Sequence, residues 1–340
     1  MGFAAEWHAF LDEFRSFGGR AENVTQRKGK FGMGIFPIDP SKPVDLFVPS
    51  ALLVETDNTE LRDGTIAIKD DQNFPEGYSD WFDRYQESYS WGAEGKENIL
   101  AFEKGLKALP ENIQNLLKQY GLYNSEMRFP EKDPDNEILK RFIQTRCINF
   151  QNKKVIMPII DLVNHSPSSK SYEISGDGIA ISGVHEGEVL VRYNMVDPIR
   201  RLLGYGFNAQ ETMGYSVRCR IQHQEYTVIV QGGQSNRPMQ PCKATFQNDR
   251  FVVEQPLLGS VRSPRMPRTL FLKACQEAEG INANELFDQI QQFNTIALVT
   301  IIRELENIEG EVASLLRICC MDQLAVQSHY FGVRDDMLDE

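Results

Sequence analysis

The stretch IIDLVNHSPSS, residues 159–169, gathers three polar side chains able to grip a small ligand: Asp161, Asn164 and His165. They close an apolar run that breaks at Pro167. A carboxylate, an amide and an imidazole together supply hydrogen-bond acceptors and donors. A second feature is GKFGMGIF, in which Gly32, Met33 and Gly34 form a G-x-G turn. Glycine lets backbone approach a ligand with no Cβ in the way. Alone the pair falls short of a dinucleotide fingerprint, which needs a third glycine and a following helix. The commoner catalytic signatures are missing: there is no G-x-S-x-G, no P-loop lysine and no H-E-x-x-H. The five histidines include no pair at metal-ligand spacing, so no metal site is expected. His165 by itself reads as a hydrogen-bonded structural histidine, and each tyrosine by itself as a packing residue.

These residues need elements to position them. The opening MGFAAEWHAFLDEFRSF has the pattern of an amphipathic helix, and its lack of a cationic start sets it apart from a signal peptide. FGMGIF and DLFVPSALLVE read as short strands around the proline-bounded turn PIDPSKP. From about Thr56 to Asn136 the texture is helical, in WFDRYQESYSW, NILAFEKGLKAL and PENIQNLLKQYG, with Pro110 at a helix start. In EILKRFIQTRCINF, Leu139, Phe142, Ile143, Cys147 and Phe150 recur every three or four residues. VIMPIIDLV then reads as an apolar strand that carries the polar tip. YEISGDGIAISG is a hairpin turning at Gly176-Asp177-Gly178, EGEVLVRYN another strand, and PIRRLLGYGF a short helix. After Phe207, YSVRCRIQ, YTVIVQ and ATFQNDRFVVE alternate like antiparallel strands, the last turning at Asn248-Asp249. From Thr269 onward the chain is helical, with Leu286, Ile290, Phe293, Ala297, Ile301, Leu305 and Ile308 forming one packing stripe.

A chain of 340 residues can form two domains, or one large domain with an insertion. Its 41% hydrophobic and 25% charged content is that of a globular protein. A net charge of −12 disfavours nucleic-acid phosphates and favours basic partners. No apolar run reaches the ~18–20 residues of a membrane span, so no membrane partner is expected. The six cysteines form no C-x-x-C pair and fit buried free thiols in a reducing compartment. The cytoplasm is the expected location, with the nucleus as the alternative.

Taken in order, FGMGIF, TRCINF, DLVNHS, YEISG, GEVLVRY and GYGF change the picture. The series resembles the SET-domain methyltransferases, in the branch of the Rubisco large-subunit lysine methyltransferase, from about Asn23 to Phe207. N-H-S after an apolar run, with Y-G-F about forty residues later, is the specific part. The resemblance implies an α+β fold: a β-rich SET core with knot-like threading, a helical insert and a mainly helical C-terminal domain. The implied boundaries are an N-terminal helix at 1–22, a SET domain at 23–208 with its insert at about 56–136, and a substrate-binding domain at 209–340. It implies S-adenosyl-L-methionine as cofactor, in one pocket, and a protein substrate whose lysine enters by a channel from the other side. Gly32, Met33 and Gly34 match the turn along the methionine part of the cofactor. Arg146, Asn164 and His165 match further cofactor contacts, the histidine largely through backbone, and Asp161 supports that tip. Tyr193 matches the active-site tyrosine, which also borders the cofactor. Tyr172 matches a tyrosine lining the lysine channel, and Tyr205 the tyrosine of Y-G-F near the cofactor.

The implied reaction is an in-line displacement at a sulfonium methyl, which needs alignment and a lone pair on the amine. A lysine of pKa ~10.4 costs roughly 4 kcal/mol to neutralise at pH 7.4. A sulfonium about 4 Å away opposes the ammonium by a comparable amount at an effective dielectric near ~20, and apolar walls act in the same direction. No dedicated general base is required. The sequence departs from the family after Tyr193, where NMVDPIRR lacks the usual serine-asparagine pair and runs one residue shorter. Thr145 replaces the serine before the cofactor arginine, and Phe31 stands where an acidic residue is frequent. Two alternatives accompany the lysine reading: a histidine acceptor on the same fold, and a catalytically weak SET-fold protein that binds partners.

Overall fold

The computed structural model describes residues 3–90, 92–123, 134–232, 241–248 and 250–328. Helix α1 (Phe3–Ser16) leads into β1 (Arg20–Glu22), β2 (Val24–Gly29), β3 (Gly32–Pro37) and β4 (Pro43–Pro49). Next come β5 (Val54–Glu55), β6 (Thr59–Arg62) and β7 (Thr65–Ile68). The helices α2 (Tyr78–Ser88), α3 (Gly92–Lys107), α4 (Glu111–Gln119) and α5 (Pro134–Arg146) follow. Short strands succeed them: β8 (Cys147–Phe150), β9 (Lys153–Ile156), β10 (Asn164–His165), β11 (Glu173–Ser175), β12 (Gly178–Val184) and β13 (Leu190–Val191). Helix α6 (Pro198–Tyr205) precedes β14 (Met213–Tyr215), β15 (Cys219–His223) and β16 (Tyr226–Val230). Then come β17 (Lys243–Gln247), β18 (Arg250–Glu254), β19 (Leu257–Ser260), α7 (Met266–Ala274), α8 (Ala283–Glu304) and α9 (Glu311–Ser328). Helix and strand are mixed throughout.

The chain divides into two compact units, Met1–Leu100 with Pro130–Tyr193, and Ala101–Phe129 with Asn194–Glu340. Residues 101–123 group with the C-terminal part of the chain, and the later division falls at Tyr193.

In the first unit a four-stranded sheet runs in the order β1-β4-β12-β11. The apolar face of α1 puts Trp7, Phe10, Leu11 and Phe14 inside, where Phe10 stacks on Trp81 of α2 at 4.7 Å between ring centroids. Such ring pairs add directional preference to area burial. The hairpin β6–β7 is a correction to the helical reading that starts at Thr56. Its turn is Asp63-Gly64, with φ of 51° and 84°, the D-G signature of a tight hairpin. A second correction concerns TRCINF. The three-to-four spacing continues through Cys147 and Phe150, yet the helix stops at Arg146 and Cys147–Phe150 pairs with β9 as a strand. Tertiary pairing overrides the local period there.

VIMPIIDLV is a third correction. The strand ends at Ile156, and Ile160–Leu162 forms a 3₁₀ turn. Pro158 cannot donate to a ladder, and Ile159 adopts φ 71°, so the backbone turns before the polar tip. The expected strand EGEVLVRYN is regular only at Leu190–Val191.

In the second unit a sheet of order β15-β16-β18-β17 packs Val228, Val230, Phe251 and Val253 against Phe271 of α7 and Leu286, Phe287 and Ile290 of α8. The pair β16–β18 is parallel, where the sequence pattern predicts antiparallel neighbours throughout. The α8 stripe is shared between two clusters. Leu286 and Ile290 face the sheet, while Ala297, Ile301 and Leu305 join α4, α6 and α9. The C-terminal part thus carries strands β14–β19 together with helices. Among the described residues no helix is long and apolar enough to cross a membrane.

Candidate functional site

Within the first unit, three separated segments meet. The hairpin β2–β3 turns at Lys30-Phe31, with Gly29 opposite Gly32, and Gly32 sits at φ 96° where glycine is favoured. Strand β10 lies parallel to β13, pairing Asn164 with Leu190 and His165 with Val191. The amide of Val189 donates to the carbonyl of Ile35 at 2.8 Å, which ties the β13 segment to β3.

Asn164 is the link between the first two segments. Its Nδ2 donates to the Met33 carbonyl at 3.0 Å and to Glu188 Oε1 at 2.6 Å. A Cβ on Gly34 would collide with the Glu188 carboxylate and lie 2.7 Å from Asn164 Nδ2. The glycine thus lets the ends of the Glu188 and Asn164 side chains pack directly on the β3 backbone. Met33 projects between these glycines with 46% of its surface exposed.

His165 is buried, and its Nδ1 accepts the backbone N–H of Tyr193 at 3.1 Å. The bond fixes Nδ1 as the unprotonated nitrogen. The two rings lie 5.1 Å apart. Tyr193 donates its hydroxyl proton to the Val163 carbonyl at 2.7 Å. Hence Val163, Asn164 and His165 meet Tyr193 on one side and the glycine strand on the other. Tyr172 is half-buried just before β11. Its segment runs beside the one leading to Tyr193, since Arg192 N donates to the Lys170 carbonyl at 2.9 Å.

Behind the tip, Asp161 is buried and well connected. The hydroxyl of Tyr85 donates to Oδ1, and that of Ser90 to Oδ2 at 3.1 Å. Arg146 Nη1 donates to the Asp161 carbonyl at 3.0 Å and lies 3.7 Å from Oδ2. Burial pushes the Asp161 carboxyl above its usual range, and the Arg146 guanidinium and both hydroxyls pull it back in part. Burial also raises the Cys147 thiol strongly, which keeps it protonated and unreactive.

Tyr205 belongs to the second unit. There its hydroxyl accepts from Asn194 Nδ2 at 3.1 Å, and the Arg201 guanidinium sits 4.5 Å over its ring. The first unit therefore brings together Gly32, Met33, Gly34, Asn164, His165 and Tyr193, with Tyr172 alongside and Arg146 behind Asp161. Sequence reasoning gave no role to Glu188 or Tyr85. Glu188 was visible only as the second letter of G-E-V-L-V, and Tyr85 as one aromatic in a helical period. Among the described residues, no group of three or more His, Cys, Asp or Glu side chains is placed to hold a metal ion.

No protein-family model matches the sequence, and no curated protein matches it. Among solved structures, the SET domain of LSMT bound to lysine and AdoHcy is 12% identical, covering 98% of this chain and 91% of that one at a TM-score of 0.40. Rubisco LSMT bound to AdoMet is 13% identical, with 98% and 92% coverage and a TM-score of 0.41. Rubisco LSMT bound to sinefungin and monomethyllysine is 14% identical, with 97% and 90% coverage and a TM-score of 0.40. All three of these structures are of LSMT proteins. At these identities and scores, the functional reading stands on the local geometry of the first unit.

Proposed function

We propose that the chain is an S-adenosyl-L-methionine-dependent N-methyltransferase that modifies a lysine side chain of a protein substrate. One observation carries this reading. The glycine strand, the Asn164–His165 tip and Tyr193 converge through the bonds from Asn164 to Met33 and from Tyr193 to His165. The residues present fit such a cofactor. A Cβ built on Gly32 would meet nothing within 4 Å, so the turn presents open backbone there. The Met33 carbonyl and the Glu188 carboxylate are acceptors suited to an ammonium, and the Arg146 guanidinium is suited to a carboxylate. On this reading Gly32, Met33, Gly34, Arg146, Asn164 and His165 hold the cofactor, which supplies an electrophilic methyl group when bound. Tyr205 is proposed as a further cofactor contact on the strength of the Y-G-F resemblance.

The chain's own part in the chemistry is alignment. Because Tyr193 gives its proton to the Val163 carbonyl, toward other groups its oxygen acts as an acceptor. It can then orient an amine N–H or a polarised methyl C–H, weak contacts that serve geometry. Tyr172 is proposed to flank the lysine stem. Aromatic walls there disfavour the charged ammonium and so help expose the lone pair. No side chain need act as a general base. The net charge of −12 favours a basic substrate segment.

The test is titration calorimetry with S-adenosylmethionine, followed by transfer of a labelled methyl to lysine-containing basic peptides read by mass spectrometry. Binding and label on lysine Nζ are expected. Absence of binding would overturn the reading, and label on an imidazole would correct the acceptor. Tyr193→Phe should lower turnover by about 10²-fold while changing cofactor affinity far less, because it disturbs alignment. Equal losses in both would remove Tyr193 from its assigned role.

A further inference from the structure

Tyr85 of α2 is fully buried, yet its hydroxyl reaches the loop that carries Asn164 and His165. There it makes two hydrogen bonds, accepting from Ile159 N at 3.0 Å and donating to Asp161 Oδ1. A tyrosine hydroxyl is one of few side-chain groups that can do both at once. Burial, and the Asp161 carboxylate beside it, hold the Tyr85 phenol well above its ordinary value, so it stays protonated and keeps donating.

The loop has reason to need such a clamp. Ile159 sits at φ 71°, which a β-branched residue adopts only where its surroundings hold it. From Ile159 to Val163 the backbone bonds are local, Asp161 N to Met157 O, Leu162 N to Ile159 O and Val163 N to Ile160 O, while Asn164 and His165 pair with β13. Side-chain anchors from distant sequence come from Tyr85, from Ser90 just past the end of α2, from Arg146 at the end of α5, and from Tyr193 on the Val163 carbonyl. Among the described residues, Tyr85 is the one whose side chain bonds both the strained residue and the carboxylate two positions on.

We propose that Tyr85 is a positioning residue. Its hydroxyl holds the Ile159–His165 loop in the one conformation that lets Asn164 and His165 grip the adenosyl ligand. The inference rests on the function proposed above, and it gives the helix α2 a definite task in that site.

The test uses Tyr85→Phe in the full chain. The ring keeps its stacking on Trp81 at 5.4 Å and near Phe10 at 6.0 Å, so only the hydroxyl is removed. Hydrogen exchange read by mass spectrometry should speed up within residues 159–165 and not elsewhere. Affinity for S-adenosylhomocysteine in calorimetry should fall by roughly tenfold, the scale of one lost buried partner. Phe14→Leu, which thins the same aromatic block without touching the loop, should lower the melting temperature and leave both readouts unchanged. Unaltered exchange at 159–165 in Tyr85→Phe overturns the proposal, as does faster exchange with unaltered affinity. Should the wild-type chain fail to bind S-adenosylhomocysteine at all, the function falls, while the exchange data still decide whether Tyr85 holds the loop.

Discussion

Two fully buried carboxylates, Asp161 in the first unit and Asp197 in the second, are compensated in opposite ways. Asp197 caps α6 by accepting from Arg200 N at 2.8 Å and pairs with the Arg200 guanidinium. Arg200 in turn donates to the Ser216 carbonyl at 3.1 Å, and next to it Arg201 pairs with buried Glu211 at 2.6 Å. Every charge in that group meets an opposite charge within one helix or the segment after it. Asp161 is met instead by two neutral hydroxyls and by a guanidinium at 3.7 Å whose side chain is 27% exposed. Burial raises both carboxyls. The closed network of the second unit serves shape, because breaking it leaves charge stranded in the core. The looser one of the first unit lies directly behind the Asn164–His165 tip, where it can be set by distant elements.

The sharpest way to break this contrast is Arg201→Ala. Removing the partner of buried Glu211 should cost about 3–5 kcal/mol in chemical denaturation. A loss below ~1 kcal/mol, typical of a surface pair, would show that the second network is not structural. A smaller effect, on binding rather than folding, is expected from Asn164→Ala. It strips the Met33 carbonyl and Glu188 of a donor and should weaken S-adenosylmethionine binding by ~1–3 kcal/mol with little change in melting temperature. Unchanged affinity would mean that the ligand is held elsewhere.

The smallest effect concerns pH. Since the folded-state pKa of Asp161 is raised, the folded chain holds that proton more tightly than the unfolded one. Its contribution is fully present below the ordinary carboxylate pKa of ~4 and is lost as pH rises through the raised value. Asp161→Asn carries no such loss. The melting-temperature difference between wild type and Asp161→Asn should therefore shift in favour of the variant between pH 4 and pH 7. A difference that stays flat would show that Arg146 and the two hydroxyls offset the burial fully, and one that moves the other way that they hold the carboxyl below its ordinary value.

Much of the local structure was legible in the sequence, for reasons that can be named. Apolar spacing in WFDRYQESYSW and in the α8 stripe is a property of the chain itself, and Gly176-Asp177-Gly178 turns wherever it occurs. Asp63-Gly64 carried the same kind of local signal, but the helical texture around it concealed the hairpin. The period through Cys147 misled because a strand partner, β9, outcompetes helix continuation there. In the candidate site, the types and order of Gly32, Gly34, Asn164, His165 and Tyr193 pointed to one locus. Glu188 could not be singled out, since a glutamate after glycine at a strand start looks like any solvated charge.

By itself the sequence determined most of the long helices, the glycine-marked turn at Gly176-Asp177, and which few polar residues follow apolar runs, because those are consequences of spacing and side-chain type. The tertiary structure alone decided that Asn164 reaches Met33, 131 positions away, that Tyr85 clasps Ile159 and Asp161, and that Tyr205 falls in a different unit from Tyr193. Such pairings depend on how packed surfaces meet across many intervening residues, and no local preference encodes that meeting.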